Sequence, residues 1–265
     1  MPKTVLITGG SSGIGFELAK LFARDGYRLV LAAKPADELN AAREQLVALF
    51  PRVDVLIYAI DLTLPDAADA VYGWALQRTS HINVLVNCAG FGSYGHVWEL
   101  DTHRELEMIQ LNVLSLYQLN RLALRDMMEI DEGYIINFSS ISAFQPNPLI
   151  ATYGATKSFV LQFSMALNRE LQQSGSSVRI TVVCPTSTKN TGFQATAGMS
   201  ATRTFSSWMT VTPDFVAREA YRAMQQRQTM IIPNRFFHLL HKLVKRLPTS
   251  WLMAIAQGEL KPVKS

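Results

Sequence analysis

The stretch that most constrains this chain comes first: an apolar run, a glycine turn and a helix, in that order. Lys3 to Thr8 reads Lys-Thr-Val-Leu-Ile-Thr, and Gly9-Gly10-Ser11-Ser12-Gly13-Ile14-Gly15 follows. Phe16, Leu18, Ala19, Leu21, Phe22 and Ala23 then recur at helical spacing. A short run without polar alternation reads as a strand buried on both faces. The glycines permit a tight turn and close backbone approach, and the helix N-terminus offers unpaired N–H groups to an anion. Strand, glycine turn and helix together are the setting a dinucleotide pyrophosphate requires, although the spacing is Gly-x-x-x-Gly-x-Gly rather than Gly-x-Gly-x-x-Gly.

The same alternation continues. Arg28 to Ala33 is a second strand, followed by Lys34-Pro35 and a helix from about Ala36 to Leu49. NAD sites usually carry an acid at this strand end to bind the ribose hydroxyls, whereas a cation suits a 2′-phosphate. Ala33 brings no acid and Lys34 brings a cation, which favours NADP(H) over NAD(H). Val53 to Ile60 is the third strand, ended by Asp61-Leu62; the acid there suits an adenine amino group or caps the next helix. A helix over 65–79, a strand over Asn83–Asn87 and the close-approach turn Cys88-Ala89-Gly90 come next. One long helix is expected over 101–129, with the polar Asn112 among its apolar positions.

Strands over Tyr134–Ser139, Val178–Cys184 and Thr229–Ile232, and helices over 152–173 and 213–226, complete the series. Residues 186–211 show no clear periodicity but hold Phe193, Met199, Phe205, Trp208 and Met209, which suits a lid or binding loop. No linker or repeat interrupts the pattern. The expectation is α/β: one doubly wound Rossmann-like domain over 1–232, a seven-stranded, mostly parallel sheet with helices on both faces.

Composition agrees with a folded domain of this size. Of 265 residues, 48% are apolar and only 17% charged, which argues for a substantial core and against disorder. Cys88 and Cys184 sit in apolar, strand-like surroundings and read as reduced thiols, and the five histidines form no metal-ligand pattern. The chain enters its first strand at once, without room for a signal peptide, and no apolar run is long enough to span a bilayer. A cytoplasmic location is expected. The net charge of +4 is concentrated from Arg235 onward, where six Lys/Arg accompany one Glu.

The densest chemistry lies between Asn137 and Lys157. An apolar strand ends in hydroxyls at Ser139 and Ser140, Pro146 and Pro148 break the chain, and helical spacing resumes near Thr152. Tyr153 and Lys157 are four residues apart, one turn along a common face. A free tyrosine titrates near pH 10, and a neighbouring ammonium favours its phenolate, so Lys157 is expected to lower the Tyr153 pKa. Ser140 is placed to hydrogen-bond a substrate oxygen shared with that phenol. A lone Tyr-x-x-x-Lys is common on amphipathic helices; here it has company.

Taken together these residues resemble the classical short-chain dehydrogenase/reductase (SDR) family over roughly 3–232. Thr8-Gly9-x-x-x-Gly13-x-Gly15 is similar to its cofactor motif, and Asn87-x-Ala89-Gly90 to its Asn-Asn-Ala-Gly motif, with Cys88 replacing the second Asn. Asn112, Ser140, Tyr153 and Lys157 fall where its catalytic tetrad falls. The resemblance implies a cofactor site of Gly9, Ser11, Ser12, Gly13, Ile14, Gly15, Lys34, Asp61, Leu62, Asn87, Ala89, Gly90, Tyr153, Lys157, Pro185 and Thr188. It implies hydride transfer between NADP(H) and a carbonyl or alcohol, with Tyr153 as acid–base and Asn112 holding a proton-relay water. The departure is at Pro185-Thr186, where the family usually has Pro-Gly; a threonine at positive φ would strain or shift the loop.

The substrate is expected to be a hydrophobic ketone or aldehyde. Phe91, Tyr94, Phe144, Leu149 and Phe193, with Phe205 and Trp208, lie in the loops that border the nicotinamide in this family. The alternative is a non-catalytic, redox-responsive dinucleotide-binding protein; a sugar-nucleotide epimerase would need a larger C-terminal domain. Residues 233–265 form a basic extension, read as two short amphipathic helices hinged near Pro248. Docking on the protein body or a subunit neighbour is favoured over peripheral membrane contact. A homodimer or homotetramer is expected through helices 101–129 and 152–173, and no nucleic-acid partner.

Overall fold

The computed structural model describes residues 2–199, 202, 204, 210–234 and 247–260. Seven strands form its sheet: β1 (Thr4–Thr8), β2 (Arg28–Ala33), β3 (Val55–Ala59), β4 (Val84–Asn87), β5 (Tyr134–Phe138), β6 (Arg179–Val183) and β7 (Met230–Ile231). Their order is β3-β2-β1-β4-β5-β6-β7, and every pair is parallel. The order reverses between β1 and β4, the switch point at which open α/β sheets bind ligands.

Alternate residues of each strand feed two apolar layers. On one face Val5, Ile7, Leu29, Leu31, Val86 and Ile136 pack with Leu18 and Phe22 of α1 (Gly13–Arg24). Leu39 and Leu46 of α2 (Ala36–Leu49) lie in the same layer. On the other face Leu6, Val30, Leu85, Ile135 and Ile180 pack with Val71 and Tyr72 of α3 (Ala67–Leu76). The expected parallel sheet with helices on both faces is therefore present.

The helix expected over 101–129 is interrupted in its winding. It divides into α4 (Thr102–Ile109), a π-helical turn (Gln110–Ser115) and α5 (Leu116–Glu129). Such wide turns frequently occur at functional sites, and Asn112 lies inside this one. The catalytic-type helix α6 spans Ala151–Gln173, one residue earlier than expected. The other strand and helix ends lie within three residues of expectation, the largest difference being the end of α3 at Leu76 rather than Thr79.

One feature of the sheet was not legible beforehand. Asn87 and Asn137 are register partners on β4 and β5, and Asn87 Nδ2 donates to Asn137 Oδ1 at 2.9 Å. Asn137 Nδ2 in turn donates to Asn120 Oδ1 and to Ser164 Oγ, so the sheet centre is tied to α5 and α6. Buried amides need such partners, and here they lock two helices to the strands that carry the site.

Within 186–211, a short helix α7 (Phe193–Thr196) and a bridge between Thr188 and Val211 are ordered. Phe205, Trp208 and Met209, and the first half of the basic extension (235–246), fall outside the described residues. After Val211 the chain continues as α8 (Pro213–Gln225) and β7. The second half of the extension is α9 (Thr249–Leu260). Among the described residues no helix is long and apolar enough to cross a membrane.

Candidate active site

The glycine turn and the β4 exit are packed against each other at the switch point. Gly9 has φ +68, and a Cβ there would lie 3.0 Å from the Ala89 backbone. Gly15 is more constrained: its Cβ would lie 2.2 Å from the Gly9 carbonyl oxygen. Thr8 Oγ1 accepts hydrogen bonds from the N–H groups of Cys88 and Ala89, pinning one turn to the other. Ser12 sits at the N-cap of α1, whose first turn holds no acidic residue, so the positive end of the helix is unopposed there. Ser11 Oγ donates to Glu38, and Ile14 packs into the sheet layer above α1.

At the far side of β1 the two residues expected to read the cofactor's adenosine half meet each other. Lys34 Nζ lies 2.5 Å from Asp61 Oδ2, with the lysine side chain 70% exposed. Asp61 is kept below the usual carboxylate range: burial works against this, but hydrogen bonds from Lys34 and Thr63 outweigh it. Leu62 is buried and its carbonyl accepts from Ser115 in the π-helical turn. Asn87, expected among the cofactor residues, has its side-chain N–H in the amide network described above.

The four tetrad positions converge below these turns. Lys157 is buried, its Nζ donating to the Phe138 carbonyl at 3.0 Å and lying 5.7 Å from the Tyr153 ring centre. Ser139 Oγ donates to the Lys157 carbonyl, fixing α6 against the end of β5. Ser140 caps the following 3-10 turn by accepting from the Ser142 N–H. Asn112 Nδ2 donates to the Phe91 carbonyl and to Thr156, while its Oδ1 is buried without a partner. A Cβ on Gly90 would lie 2.8 Å from that oxygen and 3.3 Å from Lys157 Nζ. Gly90 thus leaves the amide oxygen and the ammonium facing the same small space.

The electrostatics correct one expectation. Burial pushes the Tyr153 phenol up to about 12, with the Ser140 hydrogen bond pulling the other way. Lys157 was expected to lower it, but burial also weakens the lysine, holding it near 8. Its Nζ is turned to the Phe138 carbonyl rather than to the phenol oxygen. The phenol is therefore an acid throughout the neutral range. For Lys157 the folded pKa lies below the free value of 10.5, so the unfolded chain holds that proton more tightly. Below about pH 8 both states are charged and the burial penalty is complete. As pH rises from about 8 towards 10.5 the folded lysine neutralises first and stability increases. In urea melts the wild type should gain on Lys157→Met across that window; parallel pH dependences would contradict this assignment.

The expected strain at Thr186 is absent. Thr186 is buried and is not among the residues with positive φ; Asn190 takes the left-handed conformation instead, at φ 58. Asparagine tolerates that region far better than a β-branched residue. Thr188 Oγ1 donates to the Thr186 carbonyl, and the Pro185 carbonyl accepts from the Ile141 N–H.

An apolar cluster packs against the Tyr153 ring. Ile150, Ala197, Met199 and Leu260 form a buried cluster against which Tyr94, Leu149, Tyr153 and Phe193 pack. The Phe193 ring lies 5.2 Å from that of Tyr153. Leu149 holds a left-handed backbone, φ 69, that its sequence gave no sign of. Arg104, also unanticipated, donates to the Thr196 carbonyl and stands over the Phe91 ring. Phe144 packs against the neighbouring buried cluster of Leu116, Ala143, Val160 and Leu161.

Comparison with known proteins accords with this geometry. Residues 3–200 match the short chain dehydrogenase family. The chain is similar to the very-long-chain 3-oxoacyl-CoA reductase of Bos taurus, 35% identical over 176 residues, covering 64% of this chain and 55% of that protein, about half its length. It is similar to a short-chain dehydrogenase from Sphingobium yanoikuyae solved in complex with NADPH, at 30% identity and TM-score 0.80 over 94% of this chain and 97% of that one. A Burkholderia phymatum short-chain dehydrogenase/reductase solved with NAD shares the fold at TM-score 0.82 and 21% identity, over 100% of this chain and 98% of that one. With the glycine turn, the switch-point sheet and the tetrad positions in one site, this chain belongs to the short-chain dehydrogenase/reductase family of oxidoreductases.

Proposed function

We propose that this protein reduces a hydrophobic ketone or aldehyde with NADPH, and oxidises the corresponding alcohol in reverse. The observation that carries this reading is the Tyr153 phenol, held in its acid form beside Ser140 with its half-buried ring against an apolar cluster. A proton donor with a pKa near 12 stays loaded at neutral pH and is still far more acidic than an alkoxide. When bound, the nicotinamide supplies the hydride. Tyr153 gives its proton to the carbonyl oxygen, and Ser140 donates a hydrogen bond to the same atom. Lys157 holds the nicotinamide ribose and restores the phenol proton, with the unpaired Asn112 oxygen orienting the relay. The similarity to a 3-oxoacyl-CoA reductase supports a ketone borne on an apolar chain.

The residues present suit a dinucleotide. The close backbone approach at Gly9 and Gly15, with Gly13 at positive φ, shapes the turn at the N-terminus of α1, where a pyrophosphate is favoured. Lys34, exposed and paired to Asp61, is placed to transfer its charge to a 2′-phosphate. Fluorescence titration of wild type and Lys34→Ala with NADPH and NADH tests this. NADPH binding about tenfold weaker in the mutant, with NADH unaffected, is expected from the loss of one phosphate contact. Equal affinity of wild type for both nucleotides would remove Lys34 from the site.

A homodimer or homotetramer is supported by the exposed apolar side chains of Leu106, Leu114, Tyr117, Phe159 and Met165 on the helices expected to pair. A reducing, cytoplasmic setting is supported by the free thiols Cys88 and Cys184. The non-catalytic alternative rested on Thr186, whose relaxed backbone now weakens it.

A further inference from the structure

We infer that Leu260, at the end of α9, is a specificity-determining residue that forms the distal wall of the substrate chamber, and that Tyr94 positions it. This rests on the carbonyl-reductase reading above. Leu260 is only 4% exposed, although it is distant along the chain from the Tyr94, Leu149, Ile150 and Tyr153 side chains of its cluster. Its neighbours are Ile150, Ala197 and Met199, and the same cluster holds Tyr153 itself. The C-terminal helix therefore ends on the reacting side of the molecule.

The contact is built rather than incidental. The last carbonyls of a helix have no partner within it. Here the Tyr94 hydroxyl donates to the Leu260 carbonyl at 2.7 Å, on a segment that begins just after the Gly90 turn. Gly95 N–H donates to the Leu149 carbonyl at 2.8 Å, joining that segment to the start of α6. Four separate stretches of chain thus meet around one apolar space: 94–95, 149–153, 193–199 and Leu260.

The chemistry of that space defines what it accepts. The described side chains packed around Leu260 are apolar or aromatic, so a charged group on the substrate's distal end would lose its hydration against them. A compact alkyl substituent fits the chemistry of such a wall, and Leu260 sets its length. The glycine turn, the tetrad and Lys34 play no part in this discrimination.

The test uses the full-length wild type, Leu260→Ala, Leu260→Trp and Tyr94→Phe, with NADPH and straight-chain methyl ketones from butanone to dodecanone. Leu260→Ala should raise kcat/KM for the longest ketones relative to the shortest by about tenfold, the scale of a methylene-sized pocket change, mainly through KM. Leu260→Trp should shift the ratio the opposite way, and Tyr94→Phe should follow Leu260→Ala more weakly. Active variants with an unchanged chain-length profile would overturn the inference. If wild type reduces no ketone, the carbonyl-reductase reading is what has failed, and hydrogen exchange decides about the wall. Faster exchange across 149–153 and 193–199 in Leu260→Ala than in wild type then supports it, and identical exchange overturns it.

Discussion

Tyr153→Phe should lose ketone reduction by about 10²- to 10⁴-fold in kcat, the usual contribution of a positioned proton donor. Phenylalanine keeps the ring that packs against Phe193 and the chamber, so the fold and the apolar surroundings survive the change. Only the hydroxyl is removed, together with its hydrogen bond to Ser140. NADPH should therefore bind the mutant within a few-fold of wild type, and KM should change little. Parallel measurements of nucleotide affinity and single-turnover reduction separate the two effects. Undiminished turnover in the mutant would remove Tyr153 from the chemistry altogether.

The second large effect is expected at Gly15, where the sign is opposite to the ordinary one. Replacing a helical glycine by alanine normally stabilises by about 0.5–1 kcal/mol, because alanine loses less backbone freedom. At Gly15 the new methyl carbon would stand 2.2 Å from the Gly9 carbonyl oxygen, a backbone atom that cannot swing aside. Gly9 is itself held by its N–H bond to the Ala32 carbonyl and by close contact with Ala89. The turn must open, moving the N-terminus of α1 away from β4. A loss of about 1–3 kcal/mol in stability follows from overpacking of this kind, and NADPH affinity should fall more than tenfold. Thermal melts with and without NADPH check both parts. A mutant as stable as wild type that binds normally would show the turn to be looser than its packing implies.

Local pattern made much of this protein legible. Runs such as Val5-Leu6-Ile7 and Leu29-Val30-Leu31 are apolar at every position because both sheet faces are covered, so strands, helices and their alternation could be read directly. The glycine turn was legible because its chemistry is backbone chemistry, written in residue type at close spacing. Tyr153 and Lys157 were legible for the same reason, being one turn apart on one helix.

What escaped the sequence depends on residues distant along the chain. The Asn87–Asn137–Asn120 network joins two strands and a helix, and nothing local distinguishes these amides from surface ones. The π-helical turn at Asn112 leaves the apolar spacing of 101–129 nearly unchanged, since one widened turn shifts the periodicity by a single residue.

Residue order alone determined the doubly wound sheet, the glycine turn and the Tyr153–Lys157 pair, because each rests on periodicity or on neighbours within a few residues. Tertiary structure alone decided the protonation of that group. Burial sets Tyr153 near 12 and Lys157 near 8, reversing the simple expectation that a lysine one turn away dominates. It also decided that Thr186 lies unstrained while Asn190 turns left-handed, and that Leu260 joins the apolar cluster against Tyr153. Desolvation and long-range packing depend on everything that surrounds a side chain, and no local stretch of sequence contains that information.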